Sequence, residues 1–287
     1  MFINLLRWMI DMIQHLLQLI WNQRKQNAWL WAELLLVSVF LWFLVDYLYV
    51  MGRTYTAPLG FDIRHTYSIV ISSLSERSPD YIPKEKRERP DGVHLLTALD
   101  RIRTYPGVES ACLTDGGMPY YMGSRNLVWR IDTLQVPCRY AFVTPEFFDV
   151  FRIYDKDGKT ASLKRAIEDN NSIVISADVE TMNPGLSLLG QKAYRGNVTD
   201  EIEETIRGIS VPIRRHEYTK AEPNVYRALR LSRMEEGYYE GMIDAVRLCV
   251  RVRPDVDNAD FPARFRKDMA EQLRLGNLYL LDVQPLS

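Results

Sequence analysis

The sequence predicts an α+β fold on a membrane anchor: an N-terminal amphipathic helix and one transmembrane helix precede an extracytoplasmic domain. A strand–helix–strand pattern occurs over residues 66–114 and again over residues 244–283, and this pattern predicts the α+β fold of the domain. An apolar, aromatic run over residues 27–51 predicts the anchor. We expect the domain to combine a ferredoxin-like subdomain with an inserted mixed α/β subdomain.

The run over residues 27–51 has the properties of a transmembrane helix. Its charge-free part, residues 34–45, is short for a bilayer span of roughly 20 residues, but the flanks contain no Pro or Gly and extend the helix. Glu33 and Asp46 lie about 20 Å apart along a helix axis, so each can reach the headgroups at one end. Trp residues at one end and Tyr residues at the other match the aromatic belts of spanning helices.

We expect this helix to be retained. A signal peptide has a short basic start and a small-x-small cleavage site, whereas a long hydrophobic segment precedes this run and bulky residues 46–49 end it. The one approximate site, residues 54–57, is followed by Pro58, which disfavours cleavage. A cleaved signal and a soluble core helix are the alternatives.

The charges around the helix predict its orientation. Arg24 and Lys25 lie just before the span, and positive charge favours the cytoplasmic side. We therefore expect a single-pass protein of the inner (plasma) membrane with a cytoplasmic N-terminus. Everything after residue 53 would then be periplasmic or extracytoplasmic.

Residues 1–25 form a second membrane feature. Polar residues recur at spacings of three and four within an otherwise apolar segment, at Asn4, Arg7, Asp11, Gln14, Gln18 and Asn22. This pattern predicts an amphipathic helix that lies in the membrane interface. Packing against a partner protein is a compatible alternative.

The composition limits the function classes. The net charge of −1 over 287 residues gives no electrostatic case for a nucleic-acid partner. Cys112, Cys138 and Cys249 form no CxxC pair and no zinc spacing, so we interpret them as small buried side chains. One disulfide with a free thiol is the alternative in an oxidising compartment.

The outer part contains two strand–helix–strand units, which can pair into one ferredoxin-like sheet with both helices on one face. The predicted elements are 66–74, 91–104 and 108–114 in the first unit, and 244–252, 259–274 and 277–283 in the second. Asp91 is the expected cap of the first helix. The segment between them is an insertion with predicted strands at 125–132, 137–143, 172–176 and 204–213. Thr144 is expected to cap a short helix inside it.

A search for chemistry finds no catalytic, cofactor-binding or metal-binding residues, so the sequence predicts that the protein is not an enzyme. No P-loop, GxGxxG or HExxH motif is present. Residues 155–158 begin like a calcium loop, but the twelfth position is Ala166 instead of Glu, which indicates a turn.

Two other features invite functional readings. The glycine- and aromatic-rich loop over residues 115–122 could contact a partner or ligand, although a surface turn with partly buried tyrosines is favoured. Glu33 and Asp46 invite a proton-pathway reading. Their positions near the ends of the span favour contact with the headgroups or pairing with neighbouring helices.

Four phrases resemble the MacB/FtsX type of ABC-transporter permease. They are "WNQRKQNAWLWAELLLVSVFLWFLVDYL", "LDRIRTYPGVESACLT", "YAFVTPEFFDVFRI" and "NSIVISADVETMNPGLSLLGQKAY". The resemblance implies an interfacial helix, a first span and a MacB-like periplasmic core domain. Its porter-like subdomain would comprise residues 62–115 and 241–287, with residues 116–240 as the inserted subdomain.

The resemblance also implies a function and partners. The chain would be the permease component of an ABC transporter, with a separate cytoplasmic ATPase subunit and a second permease chain in a homodimer or heterodimer. Its periplasmic domain would couple ATPase-driven movement to an extracytoplasmic substrate or partner. Family permeases carry three further spans after this domain, so we expect either a truncated permease or a single-span relative. The alternative function is a membrane-anchored extracytoplasmic sensor or assembly factor that reuses the domain.

Overall fold

The computed structural model describes residues 12–15, 18, 21–22, 25, 28–121, 123, 125–196 and 201–286. The chain divides into two compact units, Met1–Ala57 and Pro58–Ser287. Most of the predicted amphipathic helix over residues 1–25 lies outside the described residues. Those described at 12–15, 18 and 21–22 are helical.

The first unit contains one long apolar helix, α1 (Ala28–Thr56), and none of its side chains is buried. It is the one helix among the described residues that is long and apolar enough to cross a membrane. It continues past the predicted end at residue 51 and through Gly52. Thr56 Oγ1 donates a hydrogen bond to the Gly52 carbonyl at 3.0 Å in the last turn.

The second unit is built on a ten-stranded sheet with short helices. Its strands are β1 (Thr66–Ser73), β2 (Val108–Asp115), β3 (Arg125–Ile131), β4 (Leu134–Val143), β5 (Ser172–Ser176), β6 (Lys192–Arg195), β7 (Ile202–Ser210), β8 (Asn224–Ala228), β9 (Val246–Val252) and β10 (Leu278–Pro285). Its helices are α2 (Asp91–Arg103), α3 (Phe147–Val150), α4 (Ala161–Ala166), α5 (Asp178–Met182), α6 (Leu231–Glu235) and α7 (Phe261–Met269), with 3-10 turns at Lys84–Lys86 and Ile243–Ala245. The predicted mixed α/β fold with one candidate membrane helix is confirmed at this level.

Four strands at one end of the sheet follow the order β10-β1-β9-β2, and all neighbours are antiparallel. Each strand–helix–strand unit thus encloses a strand of the other, which is a split β-α-β arrangement. Alternate strand residues such as Ile69 and Val250 share one apolar core with Leu99 of α2 and Phe265 of α7. Both helices therefore cover the same face of these strands.

The other six strands close into a ring. They follow the order β4-β3-β6-β7-β5-β8, and β8 pairs back onto β4 in parallel. Closure leaves no unpaired edge within the ring. Alternate residues point inward and form a core that includes Trp129, Ala193, Ile206 and Val225. Strands β6 and β8 were not predicted.

Both predicted caps are wrong. Helix α2 begins at Asp91, with Pro90 in the capping position and no side-chain cap. The Asp91 carboxylate instead accepts a hydrogen bond from Arg87 at 2.9 Å. The Thr144 hydroxyl accepts one from the Leu113 amide at 3.1 Å, and α3 has no side-chain cap. The Asp91 side chain therefore pairs with a residue just before its helix, and the Thr144 side chain with the neighbouring strand β2.

Candidate functional site: an arginine pocket

The features that the sequence singled out do not meet at one place. Residues 155–158 form a turn in which Asp155 Oδ1 accepts hydrogen bonds from the Asp157 and Lys159 amides at 2.9 and 2.8 Å. Across the described part of the chain, no group of three or more His, Cys, Asp or Glu residues is arranged to hold a metal ion.

In the loop over residues 115–122, the two tyrosines pack against the rest of the protein. Tyr120 is half-buried, donates a hydrogen bond to Glu217 and packs edge-on against Phe61 with ring centroids 5.8 Å apart. The Arg247 guanidinium lies 5.5 Å from the Tyr121 ring centroid. These contacts agree with the interpretation of this loop as a surface turn with partly buried tyrosines. Met122 lies outside the described residues.

The three cysteines are buried, and none of them forms a disulfide. Cys112 of β2 and Cys249 of β9 are directly opposite each other in the ladder. Burial, and next the neighbouring Cys249, raise the pKa of the Cys112 thiol well above its ordinary value. Burial inside the ring raises the pKa of the Cys138 thiol to about 12. None of these thiols has the exposed, electropositive surroundings of a reactive cysteine.

A cavity of about 280 Å³ lies at one end of the six-stranded ring, and we call it the arginine pocket. Among the described residues that line it are five arginines, namely Arg125, Arg195, Arg227, Arg230 and Arg233. The remaining lining is largely aromatic and includes Trp129, Tyr140, Phe142, Tyr238 and Tyr239.

Strand alternation explains how these side chains converge. Side chains two residues apart on a strand share a face. Trp129, Ala193 and Val225 point into the ring, so Arg195 and Arg227 point the same way one step nearer its end. The chain then leaves β8 and brings Arg230 and Arg233 over the opening.

A single buried carboxylate anchors the floor of the pocket. Arg227 donates to Glu204 Oε1 from Nε at 2.7 Å and from Nη2 at 2.5 Å, with side-chain exposures of 9% and 1%. Arg195 Nε lies 3.3 Å from the same oxygen, and Trp129 Nε1 donates to Oε2 at 3.3 Å. Burial lowers the pKa of the Arg227 guanidinium, Glu204 opposes this, and Arg195 lowers it again.

A second carboxylate lies at the side of the pocket. Arg125 pairs with Asp115 at 3.0 Å. Burial raises the pKa of Asp115, while Arg125 and a hydrogen bond from Tyr239 oppose that shift. Burial likewise raises the pKa of Tyr239 to about 12, so its hydroxyl stays protonated.

The other two arginines form no ion pair with a described carboxylate. Arg230 Nη2 reaches only the Asn170 carbonyl, at 3.5 Å, and the Arg233 guanidinium lies 5.1 Å from the Tyr238 ring centroid. Sequence reasoning missed this site. The available signal was the spacing of three between Arg227, Arg230 and Arg233.

Comparisons with known proteins complete the description. No protein-family model and no curated protein matches the sequence. The fold is similar to a domain of a permease protein from Porphyromonas gingivalis, with 19% identity, a TM-score of 0.45, and coverage of 66% of this chain and 77% of that one. It is also similar to the periplasmic region of MacB from Actinobacillus actinomycetemcomitans, with 10% identity, a TM-score of 0.43, and coverage of 80% and 94%. A further similar structure is the extracellular domain of the noncanonic ABC-type transporter YknZ from Gram-positive bacteria, with 11% identity, a TM-score of 0.43, and coverage of 75% and 100%. These neighbours are domains of the permease type that the sequence phrases resemble.

Proposed function

We propose that this chain is a non-enzymatic permease component of an ABC transporter of the MacB/FtsX type. Helix α1 anchors it, the N-terminus is cytoplasmic, and the unit Pro58–Ser287 lies outside the cytoplasm. The observation that carries the proposal is an apolar helix with no buried side chain, followed in the chain by a mixed α/β unit.

The exposure of α1 requires an apolar environment. Its exposed large apolar and aromatic side chains include most positions from Trp29 to Val50. Leaving a Val, Leu or Phe side chain in water instead of burying it costs roughly 1.5–3 kcal/mol. Summed over this helix, the cost reaches tens of kcal/mol, which exceeds the roughly 5–15 kcal/mol net stability of a domain. A bilayer removes this cost without any protein partner.

Two of the four phrases that resemble the family meet in space. The phrase over residues 99–114 covers the end of α2 and β2 except its last residue, and the phrase over residues 140–153 covers the end of β4 and α3. The two are joined by the hydrogen bond between Leu113 and Thr144. Phe147 and Phe148 also share a core with Cys112. These two phrases therefore encode one packed junction, where β2 pairs with β4.

This junction supports a division into subdomains. The split β-α-β strands with α2 and α7 would form the porter-like subdomain, over residues 62–115 and 241–287. The six-stranded ring would be the inserted subdomain, over residues 116–240. In this arrangement the porter-like subdomain transmits movement from a separate cytoplasmic ATPase subunit, and a second permease chain completes a dimer.

The test is proximity labelling in the native host with a biotin ligase fused to the N-terminus of the full chain. We expect biotin on an ABC-type ATPase subunit. The matched control replaces residues 1–53 by an unrelated single span with the same ligase, and this exchange should remove the ATPase label. If the two fusions label the same proteins and no ATPase is enriched, the permease proposal is wrong. The alternative, a membrane-anchored sensor or assembly factor, would then be favoured.

A further inference from the structure

We propose that the arginine pocket binds a small phosphate-bearing anion. This inference stands on the pocket alone and is independent of the permease proposal.

The charge in the pocket is unbalanced. Five guanidiniums line it, and the described carboxylates paired with them are Glu204 and Asp115. Among the described residues, this leaves an excess of about three positive charges around a partly enclosed space. Walls of low dielectric constant strengthen the attraction of such a site for an anion.

The donors at the opening are available. Arg230 makes one long contact to a carbonyl and Arg233 stacks on a tyrosine ring, so most of their N–H groups have no described protein acceptor. A guanidinium carries five N–H donors in a planar fork that matches two oxygens of a phosphate or a carboxylate. Glu204 meanwhile holds Arg227 in place beneath them.

The size of the excess charge favours phosphate over carboxylate. A carboxylate neutralises one charge, whereas a phosphomonoester carries about −1.5 to −2 at pH 7. A phosphomonoester therefore offsets more of the excess and presents three acceptor oxygens to guanidiniums that approach from different elements.

The aromatic wall fixes the shape of the remaining part of the ligand. Trp129 and Tyr140 meet edge-on with centroids 5.6 Å apart, and Tyr140 and Phe142 at 5.8 Å. The Arg227 and Arg125 guanidiniums lie 5.0 and 6.0 Å from the Phe142 ring centroid. These contacts hold the rings in place, so the wall offers an apolar surface to a ring or short chain of the ligand. The volume of about 280 Å³ lies at the lower end of ligand sites, which favours a compact ligand.

The experiment is calorimetric titration of the full chain in nanodiscs of zwitterionic lipid, at constant ionic strength. The probes are phenyl phosphate, inorganic phosphate and benzoate. We expect saturable binding of phenyl phosphate, weaker binding of inorganic phosphate, and the weakest binding of benzoate. Arg230→Gln and Arg233→Gln should each weaken phenyl phosphate binding by about tenfold, the effect of one charge-assisted hydrogen bond.

The control is Arg274→Gln, which removes an exposed arginine paired with Asp80 outside the pocket and should leave binding unchanged. The unfolding temperature of each variant checks that it folds. Phosphatidic acid in the nanodisc separates two sources of the phosphate: competition with phenyl phosphate identifies a lipid headgroup, and its absence identifies a free phosphomonoester. Binding that is unsaturable, or equal in the Arg230→Gln/Arg233→Gln double variant, overturns the proposal.

Discussion

Glu204 offers the sharpest test of how the six-stranded ring is held together. Its carboxylate has a side-chain exposure of 1% and accepts two hydrogen bonds from Arg227, whose side chain is 9% exposed. Glu204→Gln keeps the shape and removes the charge. Arg227 would then be a buried cation without a counterion, next to the Arg195 guanidinium.

The expected loss follows from that burial. Breaking a buried ion pair by removing one partner costs about 3–5 kcal/mol, because the remaining charge stays desolvated. An exposed pair contributes roughly 0–1 kcal/mol. The adjacent residue supplies the matched control: Glu203 pairs with Lys192, and their side chains are 49% and 52% exposed. Glu203→Gln should therefore cost less than about 1 kcal/mol.

The assay is thermal unfolding of the full chain in nanodiscs, followed by near-ultraviolet circular dichroism. Trp129 is the one tryptophan in the unit Pro58–Ser287 and is fully buried, so a Trp129→Phe variant identifies the part of the signal that reports loss of the ring. For a unit of this size, 1 kcal/mol corresponds to roughly 2–4 °C, so Glu204→Gln should lower the midpoint by about 6–20 °C. Adding Arg227→Gln should restore part of that loss, since the orphaned charge is removed. If Glu204→Gln shifts the midpoint no more than Glu203→Gln, the buried pair does not have the role described above.

Other expectations are simpler to state. The full chain should stay in the membrane after carbonate extraction and keep its Met1 end, and release of a chain that starts near Ala57 would contradict the retained anchor. Protease added outside spheroplasts should remove the domain after residue 53, and protection of that domain would contradict the orientation. Burial raises the pKa of Asp178, and hydrogen bonds from Ser176 and the Ile213 amide oppose the shift. A carboxyl whose folded pKa is raised contributes stability below its unfolded pKa and loses that contribution as pH rises through the folded value. Asp178→Asn should therefore raise the unfolding temperature at pH 7 and lose this advantage towards pH 4, and a gain that does not depend on pH would refute the linkage. A Cβ at Gly208 would lie 2.8 Å from Val174 Cγ2 and 3.0 Å from Ala166 Cβ. Gly208→Ala should therefore lower the free energy of unfolding, measured with urea, by about 1–3 kcal/mol. An unchanged free energy of unfolding would mean that α4 moves away freely. Cys112 and Cys249 should resist maleimide in the native chain and react in denaturant, and labelling of the folded protein would show that the ladder between β2 and β9 opens.

The sequence by itself determined the features that depend on neighbouring residues. The run over residues 27–51 predicts a membrane helix because length and hydropathy are properties of one segment. The alternation in β9 and the i+4 spacing of Phe261, Phe265 and Met269 likewise predict a half-buried strand and an amphipathic helix, since each period belongs to one element. The helix buries these three residues as predicted. The half-buried prediction for β9 is wrong, because both faces of the strand are covered, one by the core that contains Val250 and the other by the core that contains Cys249. These signals were enough for the mixed α/β class.

Only the tertiary structure decided which residues face each other. The four-residue strand β6 is too short to carry a clear period, and β8 is defined by its parallel pairing with β4, which lies more than 80 positions earlier in the sequence. Asp91 and Thr144 had the sequence signature of helix caps, but the Asp91 carboxylate pairs with Arg87 and the Thr144 hydroxyl accepts a hydrogen bond from the Leu113 amide of β2. The arginine pocket shows the same limit. The spacing of Arg227, Arg230 and Arg233 is visible in the sequence, whereas Arg125, Arg195 and Glu204 join them only because ring closure brings distant strands to one end. Spacing along an element is fixed by local backbone geometry, but the charge balance of a pocket depends on long-range pairing, which no local pattern encodes.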